Sequence, residues 1–287
     1  MISYGKPEYI EDLKMLWRKT FCDSKTYVDL FFEKIYLAEN TLVFVENDRV
    51  VSALYMIPYK LLKDGRENSI AYLYALATDP EFRGRKIMSM LITKSLDICK
   101  ERNYALSVLI PAEDSLLGFY RNFGYEECFE QVKITKTLAE VREEAKNQIP
   151  ADHIKADAGQ IWNAYSRSRF FDSECVILSE EQNEFYIEVL EKEGGEAWLL
   201  KTGGKEYYAL LNRVKDNISV YETDLDSAGL KPFYAALLKE FDFKTLTFYQ
   251  PLCFNEEETG AFKRHFAMSK NLAEIDLNKP FLNRVLV

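Results

Sequence analysis

The residues of this 287-residue chain best suited to chemistry lie in one turn. Asp79-Pro80-Glu81-Phe82-Arg83-Gly84-Arg85-Lys86 places three cations and a glycine directly ahead of a helical apolar stripe, Ile87, Met88, Leu91, Ile92, Leu96 and Cys99. A helix start exposes unpaired N–H groups and the positive end of the helix dipole. A loop that brings more N–H groups to the same point makes an anion site, and phosphate is its usual guest. Arg83, Arg85 and Lys86 add charge there, and Gly84 lets the backbone approach a ligand closely. Upstream, the apolar-rich run Ile70–Thr78 reads as a buried strand. Its backbone at Leu76, Ala77 and Thr78 offers N–H groups beside the turn, and Tyr72 and Tyr74 could line a pocket or simply pack. Downstream come a second short buried strand, Leu106–Ile110, and a short helix over Phe119–Phe123 that stops at Gly124 and carries a phenol, Tyr120.

Two of these stretches together resemble a known family. Ala77-Thr78-Asp79-Pro80-Glu81-Phe82-Arg83-Gly84-Arg85, followed by a helix, resembles the acetyl-CoA loop of the GNAT acetyltransferase superfamily. Phe119-Tyr120-Arg121-Asn122-Phe123-Gly124-Tyr125 resembles that family's second signature at the expected distance. The loop departs from the family pattern at Lys86 and Met88, where small residues are usual; backbone donors survive such a change, and Lys86 brings its own charge. The resemblance implies an acetyl-CoA site built from Leu76, Ala77, Thr78, Arg83, Gly84, Arg85, Lys86, Ile87 and Met88. It also implies acetyl transfer to an amine, with Tyr120 giving a proton to the departing thiolate. No general base is evident from the residues. Two rivals stand beside an N-acetyltransferase: a non-catalytic acyl-CoA-binding or regulatory module, and an aminoacyl-transferase using charged tRNA.

The elements that must position these residues follow in order. Ile2-Ser3-Tyr4 is strand-like, and Pro7 suits a helix's first turn. Leu13, Leu16 and Trp17, then Tyr27, Leu30 and Phe31, mark two helices. Leu42–Val45 and Val50–Leu54 flank the hairpin signal Asn47-Asp48, with Pro58 expected to end or disrupt the second strand. Val132-Lys133-Ile134 reads as the strand that closes the first sheet. The polar stretch 138–150 reads as a linker, part of it helical.

The second half repeats the first weakly. Ala197–Leu200 and Tyr207–Leu211 echo the hairpin. Glu222-Thr223-Asp224 echoes Ala77-Thr78-Asp79, Leu246–Pro251 echoes Leu106–Pro111, and Phe262–Met268 echoes the helix of Tyr120, with Lys263 at the tyrosine's position. Ala228 and Leu230 replace the two arginines, and Pro232 removes one N–H. The expected fold is therefore α/β: two tandem GNAT-like domains, each a mixed central sheet flanked by helices, the second degenerate. This plan resembles the enhanced intracellular survival acetyltransferases. Expected boundaries are 1–137 for the acetyl-CoA domain, 138–150 for the linker and 151–287 for a substrate-side domain, with a last strand over Phe281–Leu286.

Composition bounds the rest. The formal net charge of −9 argues against broad nucleic-acid binding, and against the tRNA-dependent rival. Residues 1–150 carry 21 basic and 23 acidic side chains, residues 151–287 16 and 23. No apolar run is long enough for a membrane span, and Met1–Pro7 does not read as a signal peptide. Five scattered cysteines suit a reducing compartment, so a cytoplasmic location is expected. His153 and His265 lack metal-ligand spacing, and no metal is expected. The resemblance, not the composition, implies an amine of a small molecule or peptide as the partner; oligomeric state is left open.

Overall fold

The computed structural model describes residues 1–251, 262–277, 280 and 282. The chain divides into two compact units, Met1–Phe129 with Phe266–Asn278, and Glu130–His265. The first unit opens with β1 (Ile2–Tyr4), α1 (Ile10–Thr20), α2 (Lys25–Lys34), β2 (Thr41–Glu46), β3 (Arg49–Lys63) and β4 (Arg66–Thr78). It continues with α3 (Ile87–Glu101), β5 (Leu106–Leu109), α4 (Leu117–Arg121) and the start of β6 (Glu126–Thr137). Its sheet runs β1-β2-β3-β4-β5 and then takes β13 (Phe262–Asn271) from the far end of the chain.

Sequence chemistry explains the turns. Asn47 and Asp48 both take positive φ (51° and 56°), as a two-residue hairpin loop demands, and Asp64-Gly65 does the same between β3 and β4. Successive residues of β4 face opposite sides of the sheet. Tyr72 and Tyr74 face α1 and α2, where Trp17 lies 4.7 Å from Phe31, 5.5 Å from Tyr55 and 5.6 Å from Tyr74 between ring centroids. Ala71 and Leu73 join Leu91, Ile92, Leu96, Tyr120 and Tyr125 in the core under α3 and α4. Leu91 and Ile92 are fully buried, and each contributes about 1.5–3 kcal/mol by leaving water. That burial fixes where the first turn of α3 lies.

The second unit contains α5 (Leu138–Glu144), β7 (Asp152–Lys155), α6 (Ala158–Tyr165), β8 (Cys175–Ile177), α7 (Glu180–Lys192) and β9 (Glu196–Thr202). After these come β10 (Lys205–Val214), β11 (Asn217–Thr223), α8 (Ser227–Glu240) and β12 (Thr245–Pro251). Its sheet runs β6-β12-β11-β10-β9-β7, with β11 and β12 parallel and the other printed registers antiparallel. Both units thus hold one parallel pair inside an otherwise antiparallel sheet, as expected for an α/β chain of two mixed sheets flanked by helices.

Three local expectations are corrected, and the helical part expected within 138–150 is found. Phe262–Met268 is strand, not helix: Met268 pairs with Leu109 and Asn271 with Leu106, so β13 satisfies the edge of β5. Lys263 therefore does not occupy a helical position like that of Tyr120. Val132-Lys133-Ile134 does not close the first sheet; Ile134 pairs with Phe248 of β12. Pro58 does not end its strand. It lies within β3 opposite Ala71, past the β2–β3 pairing that stops at Tyr55, so β2 asks nothing of its missing N–H. Residues 138–144 are a capped helix with Val141 fully buried, because Thr137 and Glu140 form a capping box. Of the strand expected over Phe281–Leu286, only Leu282 lies within the described residues. Among those residues, no helix is long and apolar enough to cross a membrane, and no cluster of metal-ligating side chains occurs.

Candidate active site

The basic turn is built around a buried carboxylate. Asp79 is fully buried; its oxygens accept from Lys19 Nζ at 2.8 and 2.9 Å, from an Arg49 guanidinium nitrogen at 2.7 Å and from the Glu81 N–H at 3.2 Å. Lys19 above all, offset in part by burial, holds this carboxyl below the usual range, so it stays an anion. Pro80–Phe82 makes a single 3-10 turn on it. Arg83 then donates its Nε to the Thr78 carbonyl at 3.2 Å. Gly84 takes φ +78°, which favours glycine, and space is open where a Cβ would stand. Lys86 is left-handed (φ 59°) and leads straight into α3.

The start of α3 differs from most other helix starts in the chain. Side chains of Ser24, Thr137, Asp157, Ser179 and Asp226 cap α2, α5, α6, α7 and α8, whereas α3 has no side-chain cap. Its first-turn N–H groups face a cavity of about 290 Å³ lined by Thr78, Phe82, Arg83, Gly84, Lys86, Ile87, Met88, Ser89 and Phe119. Arg83 and Lys86 make no ion pair with any described residue. Met88 packs against the α3 core. The lining combines cations and helix-start residues with the apolar side chains of Phe82, Ile87, Met88 and Phe119, a composition that suits a polyanion with an apolar portion.

Beside the cavity the sheet opens. The parallel β4–β5 register covers Ile70–Tyr72 against Leu106–Val108 and goes no further. Beyond it, β4 is bulged where Ala53 pairs with Ala77 but Tyr55 with Tyr74, and Ala75 sits at φ 47°. The Asp79 N–H bonds the Val51 carbonyl, so by alternation Ala77 turns its N–H toward β3, while Leu76 and Thr78 turn theirs toward the opening. Tyr120 stands on α4 and belongs to the core that holds Leu73 and Leu109. It is 7% exposed, and burial pushes its hydroxyl up to about 12. It therefore stays protonated at neutral pH, the state a proton donor needs. Tyr72 and Tyr74 stack at 5.6 Å on the other face, with Tyr74 hydroxyl 2.7 Å from that of Tyr27; burial raises both well above the ordinary tyrosine value.

Apart from Ala77, whose N–H turns toward β3, and Tyr72 and Tyr74, which pack on the other face of the sheet, the sequence-based residues fall into three groups. Thr78, Arg83, Gly84, Lys86, Ile87 and Met88 line one cavity. The Leu76 N–H turns toward the strand opening, and Tyr120 lies in the core with Leu73 and Leu109, at the ends of the β4–β5 register. Arg85 does neither: it forks onto Glu46 at 3.0 and 2.7 Å. Phe82, Ser89 and Phe119 were missed as lining residues; the signal for Ser89 was its place in the first helical turn, and for Phe119 its neighbour Tyr120.

Residues 2–128 match the family described as Acetyltransferase (GNAT) domain. The first unit is a GNAT domain. No curated protein matches the chain. Solved structures share its fold. A probable N-acyltransferase from Enterococcus faecalis matches at TM-score 0.79 and 15% identity, covering 95% of this chain and 73% of that one. Eis1 from Mycobacterium abscessus matches at TM-score 0.70 and 13% identity, covering 95% and 74%. N-myristoyltransferase from Saccharomyces cerevisiae, solved with myristoyl-CoA, matches at TM-score 0.54 and 13% identity, covering 94% and 78%. The matched family is the superfamily that the sequence resembles, and the fold is shared with Eis1. As a GNAT domain, the first unit belongs to the acetyltransferases.

The second unit treats the corresponding place differently. β11 and β12 are parallel from Asn217/Thr245 to Val220/Phe248, and α8 follows β11 as α3 follows β4. Yet α8 already begins at Ser227, so Ala228–Phe233 is helix, not loop. Asp226 caps it, accepting from the Ala228 and Gly229 N–H groups at 3.0 Å each, from Tyr207 Oη at 2.8 Å and from Lys205 Nζ at 2.9 Å. Burial pushes this carboxyl up, but the bonds from Lys205 and Tyr207 outweigh it and hold the group at about 2.

Proposed function

We propose that the chain is an acetyl-CoA-dependent N-acetyltransferase that acetylates an amine of a small molecule or peptide-like substrate. The observation that carries this reading is the uncapped start of α3 at a cavity lined by Arg83 and Lys86, which make no ion pair with any described residue, in a domain of the GNAT family. Acetyl-CoA would supply an activated acetyl thioester. Arg83, Lys86 and the N–H groups of Ile87, Met88 and Ser89 would hold its phosphates. The N–H groups of Leu76 and Thr78, directed into the β4–β5 opening, would accept developing negative charge on the carbonyl oxygen. As the C–N bond forms and the C–S bond breaks, Tyr120 would give its proton to sulfur. The attacking nitrogen would lose two protons through water, one to bulk solvent before attack and one that restores the Tyr120 phenol.

The domain division 1–137, 138–150 and 151–287 is kept as a functional proposal, with the cofactor in the first part and residues 151–287 on the substrate side. Their acidic excess suits a cationic acceptor. Release of free thiol from acetyl-CoA, followed with a thiol reagent across a panel of amines, tests the proposal. Amine-dependent release supports the enzyme; binding without release by any amine favours the non-catalytic module. Acidic acceptors outperforming cationic ones would remove the charge argument.

A further inference from the structure

The tip of the β2–β3 hairpin grips both ends of the basic turn. Glu46, the last residue of β2, and Arg49, the first of β3, are cross-strand partners flanking Asn47-Asp48. Arg49 reaches Asp79 at the start of the turn, at 2.7 Å. Glu46 reaches Arg85 at its end through two parallel bonds of 3.0 and 2.7 Å, and the Arg85 guanidinium also lies 5.3 Å from the centre of the Phe82 ring. One hairpin tip therefore presents an anion and a cation, and the turn answers with the opposite charge at each end. A forked arginine–carboxylate pair fixes direction as well as distance.

We infer that Arg85 is a positioning residue: with Glu46 it holds the end of the turn so that Gly84, Lys86 and the first N–H groups of α3 converge on one point, and it is not itself a phosphate ligand. The inference rests on the cofactor reading above. Three observations support it. Both fork-forming nitrogens of Arg85 are engaged by Glu46, so its charge is already answered within the protein. Arg85 is absent from the cavity lining, whereas its neighbours Gly84 and Lys86 are both present. Lys86 must hold a left-handed conformation, unusual for a residue with a side chain, and it directly follows the clamped residue.

The two roles predict opposite signs. A phosphate ligand held back by Glu46 would be released by Glu46→Gln and bind more tightly. A positioning residue would lose its anchor. We expect titration of the full chain with CoA to show binding weakened roughly three- to tenfold by Glu46→Gln and by Arg85→Gln. The double variant should be no weaker than either single one, because both remove one interaction. 3′-Dephospho-CoA should be weakened by the same factor. The exchanged pair Glu46→Arg with Arg85→Glu should recover at least part of the loss, which a general folding defect would not allow. In turnover the loss should fall on KM for acetyl-CoA and leave kcat nearly unchanged. Wild-type affinity or tighter in Glu46→Gln would overturn the inference alone. So would a loss in Arg85→Gln confined to CoA and absent with 3′-dephospho-CoA, or a folded exchanged pair with no recovery. Failure of the wild-type chain to bind CoA would instead overturn the cofactor reading, and this inference with it.

Discussion

Two helices of this chain, α3 and α8, each follow a strand that has just parted from a parallel neighbour, and each must settle the N–H groups of its first turn. α8 does so with its own anion: Asp226 takes two of them and is held in turn by Lys205 and Tyr207. α3 does not; Lys86 precedes it, and the cavity there is lined with cations. The same backbone physics gives a capped structural joint in one unit and, in the other, an uncapped helix start beside Arg83 and Lys86, which the proposed reading makes an anion site. What separates them is one residue type at the helix start and the charge of the loop before it. A cap residue can therefore tell a working phosphate cradle from a spent one more directly than the count of arginines can.

The largest effect expected from that contrast lies in the chemistry beside α3. Tyr120→Phe keeps the ring in its core and removes the hydroxyl. Turnover should fall roughly ten- to ten-thousandfold, with CoA affinity little changed. Because Tyr120 is held at about 12, the wild-type rate should show no limb from its ionisation at neutral pH. Normal turnover in the variant would leave water as the donor. Next in size, Arg83→Glu should weaken CoA binding about ten- to a hundredfold, since it replaces a charge-assisted contact with repulsion. Lys231→Glu, on α8, should change it little; equal losses would break the contrast.

How much of this was legible beforehand depends on sequence distance. The turn, the start of α3 and the helix of Tyr120 lie in local spacing, where glycine, charge and apolar period speak directly. The pairing of Met268 with Leu109 joins residues 159 apart, and nothing local marks it; two aromatics four apart, Phe262 and Phe266, suggested a helix instead. The Glu46–Arg85 fork is likewise non-local, so the sequence offers Arg85 as a ligand by its type and shows nothing of its partner. Asp226 was different. An acidic residue just before an apolar run is a readable cap signal, and Asp226 stands in that place ahead of α8.

Smaller effects concern stability in the second unit. Asp226→Ala should cost about 0.5–2 kcal/mol as a lost cap, read by denaturant titration, and should create no second CoA site without cations to replace it. The Asp226 carboxyl lies below its unfolded value, so its contribution is present above about pH 4 and fades as pH falls toward 2. Asp224 runs the other way. Burial raises it to about 7, with the Tyr208 N–H only partly compensating, so the chain loses stability as pH rises from about 4 to 7. Asp224→Asn should therefore gain about 1–2 kcal/mol at pH 8 and flatten the slope between pH 4 and 7. An unchanged slope would show that Asp224 ionises freely.

The most direct test of the central contrast is calorimetric titration of the wild-type chain with acetyl-CoA, repeated on the Arg83→Glu, Lys86→Glu double variant and on Lys231→Glu. The account predicts one site per chain, lost in the double variant and kept in Lys231→Glu. Two equivalent sites, or one that survives reversal of both α3 cations, would contradict it.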